Sequence, residues 1–174
     1  MIGKTLPCLI VAGCLAWTLA SAQTQLNPFE DAEGAVRVVE GDLISVGGKL
    51  VRLYGIDAPE MDQTCEAANG APYDCGEASR RALETMLGDR ALKCTIFAVL
   101  EDQRAAGLCR HGPQDIAELQ VERGWAFAAR ALSNRYEKAE SRAQRYRVGL
   151  WRGRAIRPWV WRQRQTLTQQ TEGE

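Results

Sequence analysis

Residues 35–60 read AVRVVEGDLISVGGKLVRLYGIDAPE, and this stretch decides the fold. It contains three runs rich in strand-forming side chains, at residues 35–39, 43–46 and 49–56. The Gly47-Gly48 pair between the second and third runs is a two-residue turn of the kind that needs positive φ. We therefore predict a β-hairpin in which Val46 lies opposite Lys49.

This register brings charged side chains together from distant positions. Asp42 lies beside Arg52, although ten residues separate them in the chain. Asp57 lies four residues beyond the position opposite Asp42, which is roughly 13 Å at the rise of a strand. If Asp57 belongs to the same site, the strand must bend, and Gly41 and Gly55 are where a bulge or kink is expected.

The remaining elements complete an α+β pattern. Asp115 is a predicted N-cap for a short helix that ends at Gly124. The other predicted elements are a helix at 76–87, strands at 92–100 and 105–110, and a last helix at 133–148. This order predicts a five-stranded OB-type Greek-key β-barrel with three packed helices. The barrel domain is expected at 35–162, after a leader at 23–34 and before a polar, frayed tail at 163–174.

The N-terminal residues resemble an export signal. A positively charged start, a short apolar run and Ala20-Ser21-Ala22 predict a signal peptide over residues 1–22. Once it is cleaved, no stable membrane span is expected, and the protein is periplasmic or extracellular. Residues 11–14 also resemble a lipoprotein cleavage box, so a lipid anchor at Cys14 is the alternative.

Removing the signal leaves four cysteines, an even number suited to an oxidising compartment. Three pairings are possible. The favoured one joins Cys65 to Cys75 across a polar loop and Cys94 to Cys109 across neighbouring strands. The absence of a C-x2-C spacing argues against the alternative of a four-cysteine zinc site.

Charge is unevenly distributed in a chain of net charge zero. Between Arg123 and Arg164 there are twelve basic side chains against two acidic ones, as expected of a protein that binds a polyanion or of a solvated arginine-rich helix.

The one histidine, His111, falls where a strand runs into a turn. Hydrolytic chemistry must therefore proceed without a histidine-based mechanism.

Three carboxylates stand near the hairpin, at Asp42, Asp57 and Glu60. Hard oxygen ligands without histidine or thiolate favour calcium, magnesium or manganese over zinc or copper. Phosphodiester hydrolysis needs a positioned water, a cation and fixed positive charge where the transition state accumulates negative charge. Guanidinium groups suit the last task because they donate two parallel hydrogen bonds to phosphate oxygens.

Three features together resemble the staphylococcal nuclease family. They are G-D after the first strand, the motif R-L-x-G-I-D-A-P-E, and a later arginine before a strand that ends in cysteine. Gly149-Leu150-Trp151 after an arginine-rich helix is similar to its exported bacterial members. The resemblance covers about residues 36–161. It implies calcium dependence, with Mg²⁺ or Mn²⁺ as substitutes, and cleavage of DNA and of RNA as a further substrate.

The resemblance also implies a role for individual residues. It makes Asp42, Asp57 and the backbone carbonyl of Ala58 metal ligands, and Glu60 the general base. It makes Arg52 and Arg104 the arginines that clamp the phosphate.

Some positions depart from the family. Asp102-Gln103 replaces the usual tyrosine-glycine before Arg104, and an acid at Asp102 is positioned to pair with that arginine. Arg130 and Leu132 replace stacking tyrosines, so phosphate contacts from Arg130 and Arg135 are expected to compensate.

The resulting expectation is a monomeric, exported endonuclease. The alternative is a catalytically silent OB-fold module that binds nucleic acid or another anionic polymer.

Overall fold

A computed structural model describes residues 30–100, 102 and 104–172. The predicted signal peptide, with Cys14, lies outside the described residues. Within the described part of the chain, no helix combines the length and apolar character needed to cross a membrane.

The described chain forms eleven short strands and four α-helices. The strands are β1 (Ala32–Gly34), β2 (Val36–Val38), β3 (Leu43–Val46), β4 (Lys49–Leu53), β5 (Ile56–Asp57), β6 (Thr64–Glu66), β7 (Pro72–Asp74), β8 (Leu92–Val99), β9 (Ala105–His111), β10 (Gln114–Asp115) and β11 (Phe127–Ala128). The helices are α1 (Cys75–Leu87), α2 (Ile116–Glu122), α3 (Glu137–Tyr146) and α4 (Pro158–Glu172).

Seven strands make one sheet, in the order β1-β8-β9-β4-β3-β2 with β10 added to β9. All its pairs are antiparallel except β4 with β9. The sheet curls into an open half-barrel, which agrees with the predicted OB-type α+β fold. Apolar side chains from its inner face and from α1 and α2 form the main core.

The predicted hairpin register is confirmed. Val46 pairs with Lys49, and both turn glycines have positive φ, 56° and 89°. At the other end of the hairpin, the Leu53 amide donates to the Asp42 carbonyl at 2.8 Å. The predicted bend occurs at Gly55, whose φ is 82°. Because the chain turns there, β5 leaves the main sheet and pairs with β11.

Two other local predictions are confirmed. The Asp115 carboxylate caps α2 by accepting a hydrogen bond from the Glu118 amide at 3.2 Å. Both favoured disulfides are present, Cys65–Cys75 between β6 and the first residue of α1, and Cys94–Cys109 between β8 and β9.

The structure adds two elements to those expected from the sequence. The predicted leader contributes β1, which gains its hydrogen bonds by pairing with β8. The predicted frayed tail is helical, so the structure has four α-helices rather than three. Good helix formers extend α4 from Pro158, and threonine hydroxyls along it donate to carbonyls one turn earlier, as Thr166 does to Arg162.

Candidate active site

One cavity of about 370 Å³ gathers the predicted site residues at the bend between β4 and β5. Four carboxylates and three guanidinium groups line it, together with a few apolar side chains. The charged residues are Glu40, Asp42, Asp57, Glu60, Arg52, Arg104 and Arg162. The hairpin, the bend and α4 therefore place side chains of opposite charge in the same cavity.

Asp42 and Arg52 form a partly buried ion pair at the open end of the hairpin. The Arg52 guanidinium donates to Asp42 Oδ1 at 2.7 Å and to Glu40 Oε2 at 3.2 Å. The Ala58 amide donates to the second Asp42 oxygen at 3.3 Å. The bend thus brings the β5 end of the chain onto Asp42, as the sequence register requires.

Burial dominates the electrostatics of the two aspartates. It raises the pKa of Asp42 to about 6, despite the opposing influence of Arg52. It also raises the pKa of Asp57, with hydrogen bonds from Arg162 opposing the shift. The negative charges of Asp57 and Glu40 raise the pKa of Asp42 further, and that of Glu60 raises the pKa of Asp57. Burial therefore disfavours the ionised form of both aspartates, and their arginine partners offset this only in part.

Buried polar groups on α1 and α2 fix the loop that carries Asp42. The Gln120 amide nitrogen donates to the Gly41 carbonyl and to the Ser79 carbonyl, at 3.1 Å each. A Cβ at position 41 would lie 2.0 Å from Ser79 Oγ and 2.7 Å from the Ala58 Cβ. Gly41 is thus required by the close approach of α1 and of the loop after β5, which together fix the position of Asp42.

Asp57 and Glu60 share a partner from the far end of the chain. Arg162 on α4 donates from Nη1 to Asp57 Oδ1 at 3.1 Å and from Nη2 to Oδ2 at 2.7 Å. Nη1 also contacts Glu60 Oε1. This forked contact joins α4 to the loop that carries two of the predicted site residues.

Arg104 reaches the cavity but is also engaged by its neighbour. Its Nε donates to Asp102 Oδ2 at 2.6 Å, and its Nη2 contacts the same oxygen. The side-chain hydrogen bonds from Arg104 hold the pKa of Asp102 at about 2. Asp102 therefore stays ionised near neutral pH and competes with any anion for Arg104.

The two arginines predicted to bind the substrate also have carboxylate partners. Arg130 pairs with the fully buried Glu140 at 3.0 Å. Arg135 lies 3.4 Å from Asp115 and against the Tyr136 ring. Many basic residues of the C-terminal third thus neutralise acids within the fold, which accounts for part of the charge asymmetry seen in the sequence.

A second groove of about 680 Å³ opens beside the charged cavity. Its lining is mainly apolar, and Trp159 and Leu132 on its walls are 38% and 58% exposed. The two spaces share Asp57, Ala129, Leu132 and Arg162. An anionic group in the charged cavity would therefore have an apolar surface directly beside it.

The donor chemistry of the cavity fits a hard divalent cation, because its carboxylates outnumber its guanidinium groups, four to three, and carboxylate oxygens are the ligands that such cations prefer. Yet among residues 30–100, 102 and 104–172, no three histidine, cysteine or acidic side chains are grouped tightly enough to hold a metal. In this arrangement the carboxylate oxygens have protein partners instead: Arg52 and the Ala58 amide donate to Asp42, and Arg162 donates to Asp57.

Sequence reasoning did not identify Glu40 or Arg162 as site residues. Glu40 lies two residues before Asp42, on the same loop, so its position was an available signal. Arg162 is 105 residues from Asp57, and no sequence periodicity connects the two. His111 lies elsewhere, at the end of β9, with its ring Nδ1 3.0 Å from the Ala91 carbonyl oxygen.

Comparison with known proteins identifies the family to which the chain is similar. The family model described as staphylococcal nuclease homologue matches residues 50–153. That range includes Arg52, Asp57, Glu60 and Arg104, whereas Asp42 and Arg162 lie outside it.

A similar curated protein is the succinoglycan biosynthesis protein ExoI of Rhizobium meliloti (strain 1021), 33% identical over 123 residues. The match covers 68% of this chain and 64% of that relative, less than two thirds of its length. Because the family model covers more than half of the chain, this protein belongs to the staphylococcal nuclease homologue family.

Proposed function

We propose that the protein is an exported, divalent-cation-dependent phosphodiesterase that cleaves DNA, with RNA as a further substrate. The observation that carries the proposal is the meeting of four carboxylates and three arginines in one cavity, within a nuclease-family fold. A site that only bound a polyanion would gain nothing from four acids at its centre, because they repel phosphate.

The arginines supply fixed positive charge for the phosphate. Arg52 is held by Asp42 and Glu40, so its guanidinium is oriented before substrate arrives. Arg104 stands on the same cavity wall and must exchange Asp102 for a phosphate oxygen. Preorganised donors of this kind typically contribute about 3–4 kcal/mol each to lowering the barrier.

Glu60 is the proposed general base, which removes a proton from the attacking water. The Gln63 side-chain oxygen accepts from the Glu60 amide at 3.3 Å and fixes the start of this turn. Gly76 allows the turn to lie close to α1, since a Cβ there would be 1.8 Å from the Glu60 carbonyl.

Asp42, Asp57 and the carbonyl of Ala58 are the proposed cation ligands, and calcium is the expected ion. When bound, the cation supplies charge stabilisation at a non-bridging phosphate oxygen. The apolar groove beside the cavity is the proposed place for sugar and base, where Trp159 offers an exposed ring for stacking. Arg130 borders that groove and is a proposed phosphate contact, as is Arg135 just before the start of α3.

The test is a cleavage assay on denatured DNA and on RNA, with calcium, magnesium, manganese or a chelator. We expect cleavage that requires a cation and disappears in Asp42→Ala and Arg52→Ala variants that still fold. Tight DNA binding without cleavage under any of these ions would favour the alternative, a silent OB-fold binding module.

Because the ExoI relative is named for succinoglycan biosynthesis, succinoglycan is a second candidate ligand of such a module. Adding this polymer as a competitor for DNA binding would distinguish the two ligands. The nuclease proposal predicts that it competes weakly and is not degraded.

A further inference from the structure

Arg162 occupies the carboxylate pair that the proposed function assigns to cation and water chemistry. Its forked contact uses both oxygens of Asp57, at 3.1 and 2.7 Å, and it also touches Glu60. A guanidinium in this geometry neutralises Asp57 much as a bound cation would. Arg162 lies beyond the part of the chain that the family model matches.

The position of Arg162 follows from how α4 begins. Arg157, just before the helix, lies over the rings of Phe127 and Trp159, 5.2 Å from each ring centre. It also pairs with the fully buried Glu140 at 3.3 Å. The helix start is therefore fixed to the barrel, and one turn later Arg162 is directed at Asp57.

The exposure of the Arg162 side chain nevertheless allows its guanidinium to move away from Asp57. The Arg162 side chain is 48% exposed, whereas that of Asp57 is 12% exposed. It lines both the charged cavity and the apolar groove, so it can leave Asp57 by rotating its own side chain while α4 stays docked. An exposed arginine loses little hydration by moving, which keeps the energy difference between the two positions small.

We propose that Arg162 and a divalent cation are alternative occupants of the Asp57 carboxylate, so that each must leave before the other binds. This inference rests on the proposed cation dependence. The forked contact uses both oxygens of Asp57, and a cation on the same carboxylate would stand close to the guanidinium, where the two like charges repel. In the cation-free protein Arg162 closes the site, and in the cation-bound protein it is released toward the shared wall of the two cavities.

The experiment measures calcium affinity by isothermal titration calorimetry on the full chain without its signal. Three variants are compared with the wild type: R162Q, R162K and the control R164Q, which changes an exposed arginine on the same helix. Calcium can bind only to molecules in which Arg162 has left Asp57, so the wild-type apparent Kd equals the intrinsic Kd divided by the fraction of such molecules. Removing Arg162 lowers the apparent Kd to the intrinsic value. We expect R162Q to bind calcium about threefold to tenfold more tightly, and R164Q to stay within about twofold of the wild type.

The R162K variant tests whether the forked contact, or the positive charge alone, reduces calcium affinity. Lysine keeps the positive charge but cannot make the forked contact, so exchange predicts a Kd between those of the wild type and R162Q. A wild-type Kd in R162K would show that only long-range charge matters and would overturn the proposal.

A second readout follows the guanidinium itself. The Nε–Hε NMR signal of Arg162, assigned by its loss in R162Q, should move on calcium saturation, whereas that of Arg164 should not. An unmoved Arg162 signal, or equal Kd values in all proteins, would overturn the exchange while leaving the proposed nuclease intact. Absence of calcium binding in every variant would overturn the exchange and the calcium dependence together.

Discussion

Replacing Asp42 by asparagine should stabilise the cation-free protein at neutral pH. Burial raises the pKa of Asp42 from 3.8 to about 6, so the folded state favours the protonated form. Well below pH 3.8 the carboxyl is protonated in both the folded and the unfolded state, and it imposes no penalty. As pH rises through 6, the folded protein must ionise a buried group, and this contribution to stability is lost.

The shift fixes the size of the effect. A change from 3.8 to about 6 corresponds to about 3 kcal/mol of unfolding free energy above pH 6. Asparagine keeps nearly the same shape but does not ionise. The stability gain of Asp42→Asn over the wild type should therefore be only about 0.5 kcal/mol at pH 4 and rise to about 2–3 kcal/mol at pH 7.5.

The assay is urea unfolding from pH 4 to 8 in the presence of a chelator. The difference in unfolding free energy between the two proteins cancels the contribution of titratable groups that do not contact position 42. Asp89→Asn, which changes an exposed acid, is the matched control and should show no such rise. An Asp42→Asn protein as stable as the wild type at pH 7.5, or less stable, would refute the reasoning.

Three further outcomes follow from the site and the fold. Arg52→Lys should lower the DNA cleavage rate by about 10²-fold, because lysine cannot reproduce forked contacts to phosphate; a rate within threefold of the wild type would contradict this. Gly41→Ala should cost about 1–3 kcal/mol in chemical unfolding, because its Cβ would lie 2.0 Å from Ser79 Oγ, and unchanged stability would refute the close approach. Replacing Cys94 and Cys109 by alanine should remove about 3 kcal/mol, as expected for a cross-link spanning 15 residues, and an unshifted urea midpoint would argue against that contribution.

The sequence predicted those parts of the fold that local rules control. The Gly47-Gly48 turn fixed the register of the hairpin, and with it the neighbourhood of Asp42 and Arg52. The Asp115 cap located α2 because its signal lies within a few residues. These features depend on steric limits and hydrogen bonds between near neighbours, which a single sequence displays directly.

Elements that depend on distant partners were not predictable in the same way. Strand β1 has the sequence Ala-Glu-Gly, which has no strand preference, and it forms because β8 offers it hydrogen-bond partners. Helix α4 is polar over most of its length, so no apolar periodicity marked the face directed at Asp57. Arg162 could not be assigned to the site because its position depends on contacts made by Arg157 with the barrel.

The most direct test of the central claim is the cleavage of a labelled single-stranded oligonucleotide, measured under single-turnover conditions in calcium. Wild-type protein and an Arg81→Ala control, which changes an exposed residue of α1, should cleave it at the same rate. Arg52→Ala should be slower by at least about 10²-fold, and a chelator should stop all cleavage. Equal rates in Arg52→Ala and the wild type, or no cleavage by any of these proteins, would contradict the assignment of this cavity as a phosphodiesterase site.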